Sequence, residues 1–286
     1  MNSTILRGDG KDPHTMLMLF CPPPEHKAVL GLFDLTSSLL NQLGYAPNYV
    51  GFNRGKRYGR YKRITARELT KIKQQDVTSF ALAYVPLPET NPIACNWLEG
   101  QIHSDGFSLS GRADLLLPTS EVIIPLVLEA RRHLSITYGF QYVIDAFYSP
   151  AFHANGIIYH QPNRKGPPPL PESEEDRMAA WMNHRKELMP LGHMRDVFPL
   201  NLLTEIHRKR SFEGMPLFDW IGKSRSRGRL EQITTGLWAW HVPEEKCDTL
   251  GNSFDAAGML TSGEKSFEIA CAEDIRSRGS NHKGRM

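Results

Sequence analysis

A short basic segment is the part of this sequence best suited to chemistry with a partner. Residues 54–63, RGKRYGRYKR, hold six cationic side chains and no acidic one. Because the whole chain carries a formal net charge of +3 and this segment carries +6, the remaining residues together carry −3. Arginine binds phosphates and carboxylates, and the interleaved tyrosines offer rings on which bases stack. The predicted partner-binding residues are Arg54, Lys56, Arg57, Tyr58, Arg60, Tyr61, Lys62 and Arg63.

Three interpretations of this basic segment stay open at the level of sequence. An acidic surface on a protein partner would be attracted over a long range and then held by paired carboxylate contacts. A nucleic acid would be held by phosphate contacts, and its affinity would fall as salt is added. A solvated loop that only keeps the protein soluble needs no partner at all.

Eleven histidines invite a search for metal or acid–base chemistry. His153 and His160 are close in sequence, but no acidic residue or cysteine stands beside them at metal-ligand spacing. His193, Arg195 and Asp196 are near enough for an acid–base site, although a structural ion pair or a turn cap is favoured for Arg195 and Asp196. We therefore predict no catalytic residue, no metal ligand and no cofactor, and we expect a protein that is not an enzyme.

Motifs for nucleotides and for nucleophiles are absent from the sequence. It contains no G-x-G-x-x-G or P-loop pattern and no G-x-S-x-G elbow. The four cysteines are scattered without C-x-x-C spacing, which is typical of a reduced protein. The apolar residues 16–21 are followed at once by three prolines, so we predict no secretory signal. With no apolar run long enough for a bilayer, we expect a cytoplasmic protein without a membrane partner.

Helical and strand patterns alternate along the chain, as expected of an α+β protein. Apolar residues at helical spacing predict a helix over residues 26–43, and Gly44 suits its end. Thr65 and Glu68 form a capping box that opens a second helix, which ends near residue 75. The other predicted elements are strands 16–21, 49–52, 77–85, 94–103, 107–117, 142–147, 156–160, 197–203 and 237–242, and helices 120–137, 174–189, 217–223 and 243–259. Trp238 and Trp240 share one face of their strand, where core packing is favoured over an exposed recognition stripe.

Five regions follow from these patterns and from composition. They are a disordered N-terminus (1–15), an N-terminal α+β portion (16–160), a proline-rich linker (161–173), a C-terminal α+β portion (174–261) and a flexible tail (262–286). We expect a mixed or antiparallel sheet with flanking helices. The two portions either share this sheet or pack closely against each other. Each portion contains a strand followed by a helix that starts near Pro-Glu. A duplicated module explains this, and so does the general preference of these residues for helix starts.

Several segments, taken in order, resemble the immunity proteins of bacterial polymorphic toxin systems. They are PPPEHKAVL, ITARELTKI and VTSFALAYV, followed by MRDVFPLNLLT, LFDWIG, RGRLEQITTGLWAWHVPEE and DAAGML. The resemblance rests on the order of these segments along the chain and on their general residue pattern. It includes no diagnostic motif, so no residue role is carried over. It implies an α+β fold without an active site. It also implies a protein that binds and occludes a cognate protein toxin in type VI secretion and interbacterial competition. The predicted function is therefore toxin neutralisation, the alternative is a nucleic-acid-binding accessory protein using residues 54–63, and the oligomeric state is left open.

Overall fold

The fold is α+β, as the sequence predicts, and the computed structural model describes residues 12–53, 62–74, 77–85, 98–158, 170 and 172–261. The strands in these residues are β1 (Pro13–Phe20), β2 (Tyr49–Asn53), β3 (Lys62–Arg63), β4 (Ser79–Tyr84), β5 (Leu98–His103), β6 (Gly106–Arg112), β7 (Tyr138–Asp145), β8 (Leu200–Thr204), β9 (Ser211–Phe212), β10 (Met215–Pro216), β11 (Arg229–Thr234) and β12 (Leu237–His241). The helices are α1 (His26–Gln42), α2 (Ala66–Gln74), α3 (Ser120–Arg131), α4 (Pro150–Ala154), α5 (Glu172–Leu188), α6 (Glu205–Arg208), α7 (Leu217–Gly222) and α8 (Glu244–Ala256).

Ten of the described strands form one sheet. Their order is β11-β12-β8-β7-β1-β6-β5-β4-β2-β3, while β9 and β10 form a separate two-stranded ribbon. Each neighbouring pair in the large sheet is antiparallel. Since β7 pairs with β8, residues on both sides of the proline-rich region belong to the same sheet.

The central strand β1 is buried on both of its faces. All five residues from Met16 to Phe20 have no solvent exposure. Side chains alternate between the two faces of a strand, so Leu17 and Leu19 enter one hydrophobic core, while Met16, Met18 and Phe20 enter another. This explains why the strand is a continuous apolar run.

Helices α1 and α3 cover one face of the sheet, which we call the α1 face. Val29 and Leu32 of α1 and Ile123 and Val127 of α3 are fully buried in the core on this side. Their spacing of three and four residues places them on one side of each helix. Gly44 adopts a φ of +84° just after α1, which confirms the predicted helix end.

Helices α5, α7 and α8 pack on part of the opposite face, which we call the α5 face. Trp181 of α5 contacts Phe20 and Tyr138 with ring centroids 5.3 and 6.2 Å apart. Phe254 of α8 stacks on Trp240, and both are fully buried. The predicted core position of the tryptophans in β12 is therefore confirmed. This packing covers the half of the sheet formed by β1, β7, β8 and β12.

Some element boundaries differ from the sequence prediction. Strand β1 begins at Pro13, within the stretch predicted to be disordered. Helix α3 ends at Arg131 rather than near residue 137, and the Thr137 amide donates to the Phe20 carbonyl at the sheet. The predicted strand 156–160 is wrong at its start, where Gly156 has a φ of +78° in the turn that follows α4. Strand β11, at the sheet edge, was missed because its polar residues alternate only weakly.

Candidate functional site

A cavity of about 410 Å³ lies over the remaining half of the α5 face, above β2, β4, β5 and β6. Glu99 and Gln101 of β5 and Ser110 of β6 contribute to its floor, and Glu99 lies directly opposite Ser110 in the ladder. His14 of β1 and Asn53 of β2 also line it. Alternation along β5 places its polar side chains on this face and its apolar ones in the α1-side core.

Arg185 of α5 fixes one wall of this cavity. Its Nε and Nη2 atoms donate to Asp105 Oδ2, each at 2.9 Å, and its Nη1 donates to the Asn155 carbonyl at 2.8 Å. Asp105 belongs to the turn between β5 and β6, and Asn155 follows α4. A single side chain therefore joins a helix, a hairpin turn and a second helix end, and a charge-assisted contact of this kind holds its geometry well.

The chain from β7 to α4 forms a further part of the cavity wall. Asp145 accepts a hydrogen bond from the Phe147 amide at 2.8 Å and so caps the turn at the end of β7. Ser149 has a φ of 51°, a left-handed conformation that is uncommon for a residue with a side chain. Gly156 is required at the end of α4, because a Cβ there would lie 2.4 Å from the Met178 carbonyl of α5.

Burial changes the protonation of two groups in this cavity. Desolvation raises the pKa of Glu99 to about 8, against the opposing effect of a hydrogen bond with Gln101. Burial also lowers the pKa of His103, with Asp105 acting in the opposite direction. Both groups are therefore mostly neutral at pH 7.

The acid–base groups that line the cavity each contact another polar side chain. His14 Nε2 lies 3.3 Å from Asp12 Oδ1, and Asp105 is held by Arg185. His103 Nε2 is 3.5 Å from Ser108 Oγ, a long contact to a buried hydroxyl that does not line the cavity. This arrangement suits recognition by hydrogen bonding better than attack by a serine nucleophile.

Large apolar side chains are exposed at the rim of the cavity. Phe152 and Ile157 line it and are 39% and 38% exposed, and the next residue, Ile158, is 43% exposed. Three of the seven large apolar side chains exposed in the described residues thus fall within seven positions of the chain. Clustered exposed apolar groups beside polar ones mark interaction surfaces. We call Phe152, Ile157 and Ile158 the apolar rim.

A second group of polar side chains is fully buried beside α4. His153 Nδ1 lies 2.7 Å from Tyr142 Oη and 3.3 Å from Arg195 Nη2, and His153 Nε2 lies 3.1 Å from Glu174 Oε1. Because arginine only donates, Nδ1 is the acceptor in the Arg195 contact, and Nε2–H then donates to Glu174. The adjoining void of about 10 Å³ has room for little more than one water. This network therefore serves to fix α4 against α5.

His193, Arg195 and Asp196, considered together in the sequence, do not form one acid–base site. The His193 ring is buried beside Arg210, whereas the Arg195 guanidinium lies against His153. Asp196 accepts a hydrogen bond from the Val197 amide at 2.8 Å, so it caps a turn. Arg195 pairs with His153 instead of with its sequence neighbour.

Two buried histidines predict how stability changes with pH. Burial, reinforced by Arg210, lowers the pKa of His193 to about 4 and that of His207 to about 3. Since the unfolded histidines titrate near 6.5, the unfolded chain binds more protons below that value, and stability falls as the pH drops from 6.5 towards 4. The raised pKa of Glu99 opposes this between pH 4.5 and 8.

Replacing His207 by glutamine isolates the histidine contribution. We expect the free energy of unfolding to fall less steeply between pH 6.5 and 4 in His207→Gln than in the unmodified protein, by up to about 1.4 kcal/mol per pH unit. Urea unfolding at a series of pH values measures the two slopes. Equal slopes would contradict a neutral, buried His207.

The predicted basic segment lies mostly outside the described residues. Arg54, Lys56, Arg57, Tyr58, Arg60 and Tyr61 are not among them. Lys62 and Arg63 form the edge strand β3, where both side chains are exposed and Arg63 Nε contacts Tyr49 Oη at 3.5 Å. Asn53, the residue before the segment, lines the cavity. The segment is therefore joined at one end to the cavity and at the other to the sheet edge.

The described cysteines are buried thiols. Desolvation raises the pKa of Cys21 to about 11 and also raises that of Cys247, so neither is an activated thiolate. Among the described residues no three His, Cys, Asp or Glu side chains are grouped to hold a metal ion. Within the same ranges no helix combines the length and the apolar character needed to cross a bilayer.

Comparison with known proteins gives a distant structural likeness. No protein-family model matches the sequence. No curated protein matches it either. Among solved structures, the chain is similar to the Pseudomonas aeruginosa T6SS protein PA0821, with 10% sequence identity and a TM-score of 0.47. The likeness covers 80% of this chain and 65% of that chain, so this chain spans less than two thirds of the length of that protein.

Sequence reasoning missed the residues of the cavity. Glu99, Gln101 and His103 alternate along LEGQIH, and such a pattern on a predicted strand indicates one polar face. That signal was available. The position of Arg185 was not, because its contact with Asp105 joins residues 80 positions apart.

Proposed function

We propose that this protein is an immunity protein, which binds a cognate bacterial toxin and neutralises it by occlusion. The observation that carries the proposal is the cavity with its apolar rim: hydrogen-bonding groups lie inside it and large apolar side chains are exposed around it. Interfaces that bind tightly combine apolar anchors with polar groups of fixed geometry. The ion pair of Arg185 with Asp105 supplies that fixed geometry.

The charge pattern supports a protein partner with an acidic surface. Residues 54–63 carry six cations, and the described part of this segment, Lys62 and Arg63, is exposed at the sheet edge. Attraction between opposite charges speeds encounter and disfavours wrong partners. A neutraliser must capture its toxin before the toxin acts, so a fast association rate is useful to it.

Co-expression tests the proposal. Genes adjacent to the one encoding this chain are expressed in a bacterial host, singly and together with it. We expect one neighbouring product to arrest growth when expressed alone and to be harmless in the presence of this protein, with which it co-purifies. If no neighbouring product is toxic, or if a toxic one is not rescued, the proposal fails.

A nucleic-acid-binding accessory role is the second candidate, and it rests on the same basic segment. It predicts binding to DNA or RNA that weakens steeply between low and moderate salt, and that weakens further in Arg57→Ala/Arg60→Ala. Fluorescence anisotropy with a labelled oligonucleotide measures both effects. Absence of binding, or an affinity unchanged by salt, removes this candidate.

A further inference from the structure

The cavity changes in character from its mouth to its floor. Phe152 and Ile157 at the mouth are more than a third exposed, whereas Glu99 on the floor is 1% exposed. A ligand that enters the cavity therefore passes an aromatic ring and an aliphatic side chain before it reaches a buried carboxyl group. Aromatic faces and carboxylates both attract cations.

The Glu99 carboxyl is mostly protonated at pH 7 in the protein alone. Burial penalises its charged form and so raises its pKa, and its hydrogen bond with Gln101 only partly opposes that penalty. A cation placed against the carboxyl would favour the charged form instead, because opposite charges attract strongly where water is excluded. Binding of a cation and release of the Glu99 proton are then a single event.

We propose that this cavity binds a single alkylammonium or alkylguanidinium group, with its stem against Phe152 and Ile157 and its charge against the Glu99 carboxylate. Gln101 and Ser110 lie beside Glu99 on the floor and offer oxygen acceptors to the remaining N–H groups. The proposal extends the proposed function, since a lysine or arginine side chain that projects from the toxin carries this chemistry.

Among the described residues on this half of the face, the other charged groups do not provide an anion site. They are His14 with Asp12, His103, Asp105 with Arg185, Arg112 with Asp114, and Tyr49 with Arg63. An anion would have to displace Asp105 from Arg185, and a buried ion pair is expensive to break. His103 stays mostly neutral at pH 7, because burial lowers its pKa. A cation needs no such rearrangement.

Two matched probes test the cavity on the full chain. N-acetyl-arginine amide carries the guanidinium group, and N-acetyl-citrulline amide has the same shape without the charge. Titration calorimetry in buffers of different ionisation enthalpy should show binding of the arginine probe with release of about 0.9 proton at pH 7, given a Glu99 pKa of about 8. The citrulline probe should bind at least about tenfold more weakly and release no proton.

The pH dependence gives the sharpest result. Because only the ionised fraction of Glu99 accepts the cation, affinity for the arginine probe should rise about 25-fold between pH 6.5 and pH 8.5, with a midpoint near the Glu99 pKa of about 8. Equal binding of both probes, an affinity that falls as pH rises, or no binding of either probe would overturn the proposal.

A conservative variant separates Glu99 from the rest of the cavity. Glu99→Gln keeps the shape and the neutral state of the side chain and removes the cost of protonating Glu99 on folding at pH 7, so its thermal unfolding temperature should be no lower than that of the unmodified protein. It should lose the binding of the arginine probe and the pH dependence together. Glu121→Gln, which removes an exposed carboxylate from α3 on the other side of the sheet, should change neither. Probe binding that persists in Glu99→Gln would overturn the proposal.

The source of the cation is decided by two further measurements. n-Butylamine tests a free amine, and neutralisation of the toxin by Glu99→Gln tests a side chain of the partner. Impaired neutralisation supports a side chain of the partner as the source, a lysine if butylamine binds as tightly as the arginine probe and an arginine if butylamine binds weakly. Butylamine binding equal to that of the arginine probe, with neutralisation intact, overturns that source in favour of a free amine.

If the arginine probe fails while the toxin is still neutralised, the cation site falls and the proposed function stands. If the arginine probe binds while no toxin is neutralised, the cation site stands and the proposed function falls.

Discussion

Replacing both Phe152 and Ile157 by aspartate should lower the affinity for the toxin by at least about 100-fold while leaving the fold intact. Both side chains are more than a third exposed at the rim of the cavity, so neither is needed to fill the core. In the complex, each aspartate would place a carboxylate where an apolar anchor packs, and burying an unpaired charge is strongly unfavourable. Calorimetric titration of the purified toxin with the Phe152→Asp/Ile157→Asp variant measures the loss.

The matched control for this variant is Leu128→Asp. Leu128 is 37% exposed, but it belongs to α3, which packs on the α1 face. Its replacement makes the same chemical change far from the cavity and should leave affinity unchanged. If Leu128→Asp weakens binding as much as the double variant does, or if the double variant binds normally, the apolar rim is not the interface.

Truncating Trp181 to alanine should lower the free energy of unfolding by about 3–5 kcal/mol. The ring is fully buried against Phe20 and Tyr138 in the core beneath α5. Its indole N–H has no hydrogen-bond partner among the described residues, so the truncation breaks no polar contact and the effect comes from lost packing. Arg185 lies one helical turn further along α5, so the wall of the cavity should loosen as well.

Denaturant titration of Trp181→Ala and of Met182→Ala measures this effect. Met182 is the next residue in the same helix and is 45% exposed, so its truncation should change the free energy of unfolding by less than about 0.5 kcal/mol. Similar values for the two variants would show that α5 is not packed through Trp181. The assignment of the cavity wall to α5 would then be withdrawn.

Local sequence patterns were sufficient to predict the helices and strands whose characteristic residues all lie within one short segment of the chain. The apolar spacing of α1 and the glycine at its end were sufficient, because both act over a single turn of backbone. The β5–β6 pair was placed correctly around Ser104-Asp105-Gly106, since a tight turn between two strand patterns specifies an antiparallel hairpin. The burial of Trp238 and Trp240 followed from their alternation along one strand.

The candidate site depended on contacts that no local pattern encodes. His153 meets Arg195 across 42 residues and Glu174 across 21, and these pairings set the position of α4. Sequence spacing instead grouped Arg195 with His193 and Asp196, but the side chains of those two residues contact other groups. The protonation of Glu99 follows from its complete burial, which depends on the packing of five strands and two helices around the cavity. The polar alternation of β5 was a local signal that pointed to this site.

The stoichiometry of neutralisation tests most directly whether this protein acts by binding. A fixed amount of the purified toxin is titrated with increasing amounts of this protein, and the remaining toxin activity is measured after a short and a long incubation. A protein that occludes its target should abolish activity at molar equivalence, give the same curve at both times, and release active toxin when the complex is denatured and the toxin refolded. Inactivation by far less than one equivalent, progressing with time and leaving a chemically altered toxin, would show instead that the protein is an enzyme.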